Sequence, residues 1–231
     1  MNERLRSELL EDSADRAAFY GLLSSIYLVE LTEDQVQSFA EQDFSSFKGS
    51  SEVIDRGIGA IEHYFHTPRI ANMREELASD YAHSILGVTA DQRKMALPYE
   101  SYFTSENELL MQDARDDVYR LYCEEGLGTP EGLDIPEDHL GLMFEFMAHL
   151  CERYNTALEG CDISEARRLI VLQGEVLGNH LSNWMDDYCN TLESVSRTDF
   201  YRGVALITRG WVDLDAATVS NMIIDTGDIE G

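Results

Sequence analysis

The sequence predicts an all-α protein built as a single-domain helical bundle. Apolar residues recur at intervals of three and four along most of the chain, whereas the alternating pattern of strands and the Asn-Gly turns of hairpins are nearly absent. Of the 231 residues, 44% are hydrophobic, which is ordinary for a folded protein and allows a substantial core. We therefore expect one helical domain over residues 1–214, followed by a partly disordered tail, 215–231.

Helix boundaries in the first half follow from caps and breakers. Thr32 with Gln35 is typical of a capping box that opens a helix. Thr67-Pro68 ends another helix, because proline disfavours helical geometry in the residue before it, and Gly87 ends a third. The predicted helices of this half cover residues 14–30, 32–40, 52–66 and 68–86.

The second half begins with residues 87–104, the longest stretch without clear periodicity. After it, Ser105 with Glu108 predicts a second capping box and a helix that continues to Glu125. A turn-rich segment, 126–138, follows that helix. Further helices are predicted over residues 137–158, 164–187 and 199–213.

The chain is strongly acidic. It carries 44 Asp and Glu against 17 Lys and Arg, for a formal net charge of −27 and an isoelectric point of about 4.3. Such a surface repels phosphate groups, so nucleic acid and anionic membrane surfaces are poor partners. It attracts basic ligands such as arginine-bearing peptides, although acidity alone also serves solubility.

Targeting signals are not evident in the sequence. The N-terminal segment is acidic from its third residue and has no apolar core of the length found in secretory signals. No stretch approaches the roughly 18 to 20 apolar residues needed to cross a bilayer. We expect a cytoplasmic protein without stable membrane insertion.

Motifs for catalysis and for cofactor binding are missing. The Glu-x-x-His pairs of di-iron bundles, HExxH, the phosphate-binding GxxxxGK[ST] and GxGxxG loops, and GxSxG do not occur. The chain is therefore not expected to be an enzyme or to hold a metal or cofactor. The widely spaced cysteines form no CxxC pair and are expected to be small buried hydrophobes; they are Cys123, Cys151, Cys161 and Cys189.

The segment "PEDHLGLMFEFMAHL", residues 136–150, places charged residues ahead of an apolar run. That run is apolar around nearly the whole helical circumference, which is typical of a helix at the centre of a bundle. Asp138 could serve only as the helix cap. This interpretation gives His139 no task and leaves Glu145 as a costly charge on an apolar helix. The alternative is an inward-facing carboxylate–histidine group that forms the polar end of a groove.

The same segment resembles the E-P-x-D-H-x-x-x-E-x-x-F-M signature of the TorD/DmsD/NarJ-type chaperones for twin-arginine-exported molybdenum reductases. Three more segments resemble motifs of that family, in the same order: 76–88 its Leu-Phe-x-Gly turn, 97–111 its Pro-Tyr-Glu-Ser loop, and 180–212 its His-Leu-x-x-Trp pattern followed by Phe-Tyr-x-x-x-Ala. The chain departs from the family at Ile135, where a glutamate is usual, and at Ser84-Ile85, where Leu-Phe is usual.

The resemblance implies a chaperone that binds the twin-arginine leader, and the apo form, of a molybdopterin-dependent reductase of the DMSO/TMAO reductase type. Such chaperones hold the precursor from export until the cofactor is inserted. A nearer alternative is a nitrate-reductase-delta-type assembly factor that acts on a leaderless catalytic subunit. A more distant one is a helical carrier of a metal or cofactor. Weak binding of guanine nucleotide, and monomer against domain-swapped homodimer, stay open.

The resemblance also implies where the leader binds. Tyr81, Ile85 and Tyr99 would form an apolar wall, and Glu100 with Asp138 an acidic end. His139 would position Asp138 or accept a hydrogen bond, and an ordinary pKa of about 6.5 would give it partial charge. The implied signal-peptide-binding residues are Tyr81, Ile85, Pro98, Tyr99, Glu100, Ser101, Pro136, Asp138, His139 and Glu145.

Overall fold

The computed structural model describes residues 3–68, 72–88, 95–128 and 135–228. Within these ranges the regular structure is helical and no β-strand forms, so the all-α prediction is confirmed. The α-helices are α1 (Glu3–Leu28), α2 (Glu33–Glu41), α3 (Glu52–His66), α4 (Met73–Ser84), α5 (Glu100–Thr104), α6 (Asp113–Glu124), α7 (Leu140–Glu159), α8 (Ile163–Val176), α9 (Met185–Val195) and α10 (Asp199–Asp228). A 3₁₀ turn covers Ser45–Phe47, and a π-helix, Leu177–Leu181, continues α8.

The chain divides into two compact units. The first unit comprises Met1–Ser25, Tyr99–Asn183 and Asp213–Gly231, and the second comprises Ile26–Pro98 and Trp184–Val212. Each unit is therefore assembled from segments that lie far apart in the sequence. The expected domain boundary after residue 214 stays a prediction.

Helix α7 buries twelve of its 20 residues in the first unit, as its long apolar run predicts. Phe146 stacks on Tyr122 with 4.5 Å between the ring centroids, and the Tyr122 hydroxyl donates to the Leu142 carbonyl at 2.6 Å. On another side, Phe144 lies 5.6 Å from the ring of Tyr20 in α1. The helix therefore contacts aromatic side chains of both α6 and α1.

A buried charge pair joins the first and last helices of the first unit. The Arg16 guanidinium donates to both carboxylate oxygens of Asp215, at 2.5 and 2.9 Å, and to Gln173 Oε1 at 2.7 Å. The Tyr20 hydroxyl donates to the same carboxylate at 2.5 Å. Arg16 and Asp215 are 3% and 1% exposed, so the two charges depend on each other for solvation.

The predicted end of α10 at residue 213 is wrong, because the helix runs to Asp228. Asp215, Val219, Met222 and Thr226 are buried. They recur at the three- and four-residue spacing of one helical face, which packs into the first unit. This stripe is not evident in the sequence, because polar residues interrupt it.

In the second unit, glycines allow α3 and α10 to approach closely. A Cβ atom at Gly203 would lie 2.6 Å from the Gly57 carbonyl oxygen, and one at Gly57 would lie 2.8 Å from the Gly203 oxygen. The start of α10 is held by Asp80, whose buried carboxylate accepts from the Thr198 amide at 2.8 Å and from its hydroxyl at 2.6 Å. These contacts place one face of α10 in the core of this unit.

The capping box of Thr32 and Gln35 forms as predicted, whereas the helix predicted from Ser105 to Glu125 does not. The Ser105 hydroxyl accepts from the Leu109 amide at 2.8 Å instead of capping a helix. Glu108 has a φ of +53°, in the left-handed region where an α-helix cannot continue. Of the predicted helix only α6 forms, beginning at Asp113, and an irregular loop joins it to the short helix α5, which the sequence did not predict.

The helix predicted over residues 164–187 is also interrupted. After α8 the backbone passes through the π-helix and leaves helical geometry at Trp184, the residue before α9. A π-helix changes the hydrogen-bond pattern by one residue. A periodicity count cannot detect so local a change, since the apolar spacing on both sides stays compatible with one helix.

The expectation of four buried cysteines is half right. Cys151 and Cys189 are buried, whereas Cys123 and Cys161 are exposed. Burial raises the pKa of the Cys151 thiol to about 11, so the thiol stays protonated near pH 7. It donates to Gln173 Oε1 at 3.5 Å. Cys161 lies just beyond the end of α7 with a φ of +58°, where the chain turns toward α8.

We expect Asp215→Asn to lower the free energy of unfolding by about 3 to 5 kcal/mol, because it leaves the Arg16 charge buried without its counterion. Urea unfolding followed by circular dichroism measures this. The matched control is Asp213→Asn, on the same helix but exposed, for which we expect a loss below about 1 kcal/mol. Equal losses in the two variants would contradict a buried pair.

Candidate functional site

The candidate site lies in the first unit, where α5 contacts the N-terminal end of α7. The main-chain amide of Glu100 donates to the Asp138 carbonyl at 3.1 Å, and that of Ser101 donates to Asp138 Oδ2 at 2.9 Å. Tyr99 and His139 form an isolated antiparallel β-bridge beside these bonds. Residues from two distant parts of the sequence are thus joined through both backbone and side chain.

His139, rather than Asp138, caps α7. Its Nδ1 accepts from the Gly141 amide at 3.0 Å, so the proton of the neutral ring is on Nε2. Burial lowers the pKa of His139 to about 4, and the ring is therefore neutral near pH 7. Both the interpretation of Asp138 as the cap and the expected partial charge on His139 are wrong.

Asp138 is fully buried. Burial raises the pKa of its carboxyl group above the ordinary range, although the hydrogen bond from the Ser101 amide acts in the opposite direction and favours the charged form. Its second oxygen, Oδ1, has no hydrogen-bond donor among the residues that the structure describes. A buried acceptor in this state is costly unless a water or a ligand group supplies a donor.

Glu100 is held from the opposite side. Its carboxylate, 2% exposed, lies 3.1 Å from His180 Nδ1 and accepts from Asn183 Nδ2 at 3.1 Å. His180 is in the π-helix, an element that often occurs at functional sites. These two partners were not predicted from the sequence, where their one signal is the His-Leu-x-x-Trp pattern.

The other predicted residues have different environments. Tyr81 and Ile85 belong to the interior of the second unit, where the Tyr81 hydroxyl donates to the Tyr27 carbonyl at 2.9 Å. Pro98 is buried in that unit too. In the first unit Pro136 is half-buried, while Glu145 is exposed, contrary to the expectation of an inward-facing charge.

Glu137 is also buried where α5 contacts the N-terminal end of α7, although it was not among the residues predicted from the sequence. Its carboxylate accepts from Arg115 Nε of α6 at 2.7 Å. The guanidinium of Arg115 lies 4.8 Å from the centroid of the Tyr119 ring. The segment before α7 is therefore tied to α6 through Glu137 and to α5 through Asp138.

Across the described ranges, no group of three or more His, Cys, Asp or Glu side chains could hold a metal ion. In the same part of the chain, the helices are all too short or too polar to cross a membrane.

Comparison with known proteins identifies the class of this chain. The family described as "Nitrate reductase delta subunit" matches residues 52–190. The chain is similar to the chaperone protein TorD of Vibrio parahaemolyticus, with 25% identity over 87% of this chain and 93% of that protein. It is also similar to TorD of Vibrio cholerae, with 23% identity over 91% and 94%, and to TorD of Photobacterium profundum, with 23% identity over 91% and 96%.

These matches define a helical chaperone and not a catalyst, as the sequence predicted. The chain belongs to the nitrate reductase delta subunit family, the family of TorD- and NarJ-type chaperones for the maturation of redox enzymes.

His139 makes folding stability depend on pH. The unfolded histidine binds a proton below about pH 6.5, whereas the folded one does so only near pH 4, so stability is lost as the pH falls through this window. In His139→Asn an asparagine can still cap α7 but cannot titrate. We expect its free energy of unfolding to fall by roughly 2 to 3 kcal/mol less than that of the wild type between pH 6.5 and 4.5.

Urea unfolding at several pH values gives both curves. The carboxylates titrate in both proteins, so their contribution cancels in the difference. Parallel curves would show that the His139 ring is accessible to protons in the folded chain.

Proposed function

We propose that this protein is a cytoplasmic chaperone for a molybdopterin-dependent reductase of the DMSO/TMAO reductase type. It binds the twin-arginine leader and the apo form of the precursor, and it delays export until the cofactor is inserted. The observation that carries the proposal is the likeness to TorD chaperones, which extends over 87% to 91% of the chain.

The joint between α5 and α7 supports a leader site there. It brings together Tyr99, Glu100, Ser101, Asp138 and His139, which the resemblance selected independently of any geometry. A leader arginine carries N–H donors, and Asp138 Oδ1 is a buried acceptor without a donor in the described part of the chain. We propose that binding of the leader opens the packing around Asp138, so that a guanidinium of the leader reaches this oxygen.

The role of the neutral His139 follows from the same geometry. Its Nδ1 accepts from the Gly141 amide, so the ring fixes the first turn of α7. The same ring lies edge-on to Tyr99, with 4.9 Å between the centroids, and helps to position that side chain. An uncharged ring does not repel an incoming arginine, as an imidazolium would. His139 is therefore proposed as a positioning residue and Asp138 as the contact.

The acidity of the chain serves the same recognition. A net charge of −27 attracts a leader that carries adjacent arginines and accelerates their encounter at low ionic strength. Long-range attraction of this kind is screened beyond about 8 Å at physiological salt. The bond at Asp138, being buried, should keep its strength when salt is raised.

We expect Asp138→Asn to weaken leader binding by at least about tenfold. Removing one partner of a desolvated charge pair costs about 2 to 5 kcal/mol, and a tenfold loss of affinity corresponds to only about 1.4 kcal/mol. Calorimetry with a synthetic leader peptide measures the affinity. Changing the leader's arginines to lysines should weaken binding to the wild type but cost the variant much less, since lysine lacks the planar fork of arginine.

The matched control is Glu152→Gln, which removes one negative charge from the exposed face of α7 at a residue outside the predicted site. It should change the affinity less than about threefold, as expected for a solvated charge. If the Asp138 and leader substitutions add independently, the carboxylate only holds α5 in place. The arginine contact would then have to lie elsewhere.

A second candidate function is assembly of a catalytic subunit that has no leader, as in the nitrate-reductase-delta type. The description of the matching family favours it. Binding of the leader peptide is compared with binding of the mature apo-subunit, using the full chain and titration calorimetry. We expect the leader peptide to bind by itself, and binding to the mature apo-subunit alone would favour the second candidate.

A further inference from the structure

The loop between α5 and α6 exposes three consecutive large apolar side chains. Leu109, Leu110 and Met111, called here the apolar tip, are 51%, 38% and 55% exposed. Runs of exposed apolar residues are rare on a protein that has no use for them, because each leaves apolar area in water. The same loop directly follows α5, the helix held by Asp138.

The apolar tip has a defined shape. The Ser105 hydroxyl accepts from the Leu109 amide at 2.8 Å and lies 3.2 Å from the Leu109 carbonyl oxygen, while the Gln112 side chain donates to the Leu110 carbonyl at 2.9 Å. Glu108 and Met111 have φ values of +53° and +61°. Left-handed backbone is unfavourable for such residues and persists where the surroundings impose it. The loop therefore presents these side chains in a fixed arrangement.

Carboxylates lie next to the apolar tip on both sides. Glu106, Glu108 and Asp113 are exposed, and within the described ranges they form no ion pair. Such a surface suits a guest that carries cationic and apolar residues side by side. It does not suit a second copy of this chain, because a symmetric contact would bring like charges together.

We propose that the apolar tip is the docking surface for the apolar segment of the leader, and that the adjacent carboxylates meet basic residues of the same peptide. This inference rests on the proposed function and extends it from the arginines to the apolar part of the leader. Leader recognition thus combines apolar burial at the tip with charge recognition at its edges.

The test compares two double variants. Leu109→Ser with Leu110→Ser removes apolar area from the tip and leaves the main-chain bonds intact. Val171→Ser with Ile224→Ser is the matched control, since these residues are 42% and 64% exposed elsewhere in the first unit. The probe is a synthetic peptide in which two adjacent arginines precede an apolar segment. We expect the tip variant to bind at least about tenfold more weakly, and the control to bind like the wild type.

A second peptide, with its apolar segment replaced by serine and glycine, separates the outcomes. It should bind equally to the wild type and to the tip variant. If the tip variant binds the intact peptide as the wild type does, the inference is overturned while the proposed function stands. If the wild type binds neither peptide, the proposed function fails, and the inference with it.

Sedimentation of the free proteins tests the remaining occupant. The wild type and the tip variant should have the same state of association at equal concentration. A wild-type dimer that the tip substitutions dissociate would identify the surface as a contact between copies and would overturn the inference.

Discussion

The hydrogen bond from the Ser101 amide to the Asp138 carboxylate is the constraint on which the candidate site depends. Helix α5 has only five residues, too few to be stable by itself. It is held from one side by Asp138 and from the other by Glu100, whose carboxylate meets the π-helix. The loop that carries the apolar tip begins at the end of this short helix, so its position follows from the same two buried carboxylates.

Buried carboxylates also fix helix positions elsewhere in the chain by accepting hydrogen bonds. Asp80 accepts hydrogen bonds where α10 begins, and Asp215 accepts from Arg16 where α10 passes through the first unit. A buried carboxylate tolerates few arrangements, because each oxygen needs a donor. An acidic chain can therefore use some of its acids to determine helix positions, while the exposed ones provide the negative surface.

Much of the fold could be predicted from the sequence. The central place of α7 follows from its apolar circumference, and the start of α2 follows from two residues three apart, since both signals are local. The failures have a common cause. Ser105 and Glu108 satisfy a capping pattern, yet Glu108 is left-handed. The importance of Asp215 depends on Arg16, 199 residues away.

The candidate site divides in the same way. The resemblance selected Asp138 and His139, but the spacing of the residues could not tell which of them caps α7. That assignment depends on a proton acceptor, His139 Nδ1, and on burial that keeps the ring neutral. The partners of Glu100 were missed because His180 is 80 residues further along the chain. A geometric relation of that kind has no local signal.

The pairing of Arg16 with Asp215 has a consequence for the order of events during synthesis. Chains emerge from the ribosome N-terminus first, at roughly 5 to 20 residues per second. For most of that time α1 carries a cation whose buried counterion has not yet been made, so the first unit cannot close around it. The second unit is likewise incomplete until α9 and the start of α10 have been translated. The first unit can therefore close around Arg16 only after Asp215 has been translated, and a product truncated before Asp215 would leave this buried cation without its counterion.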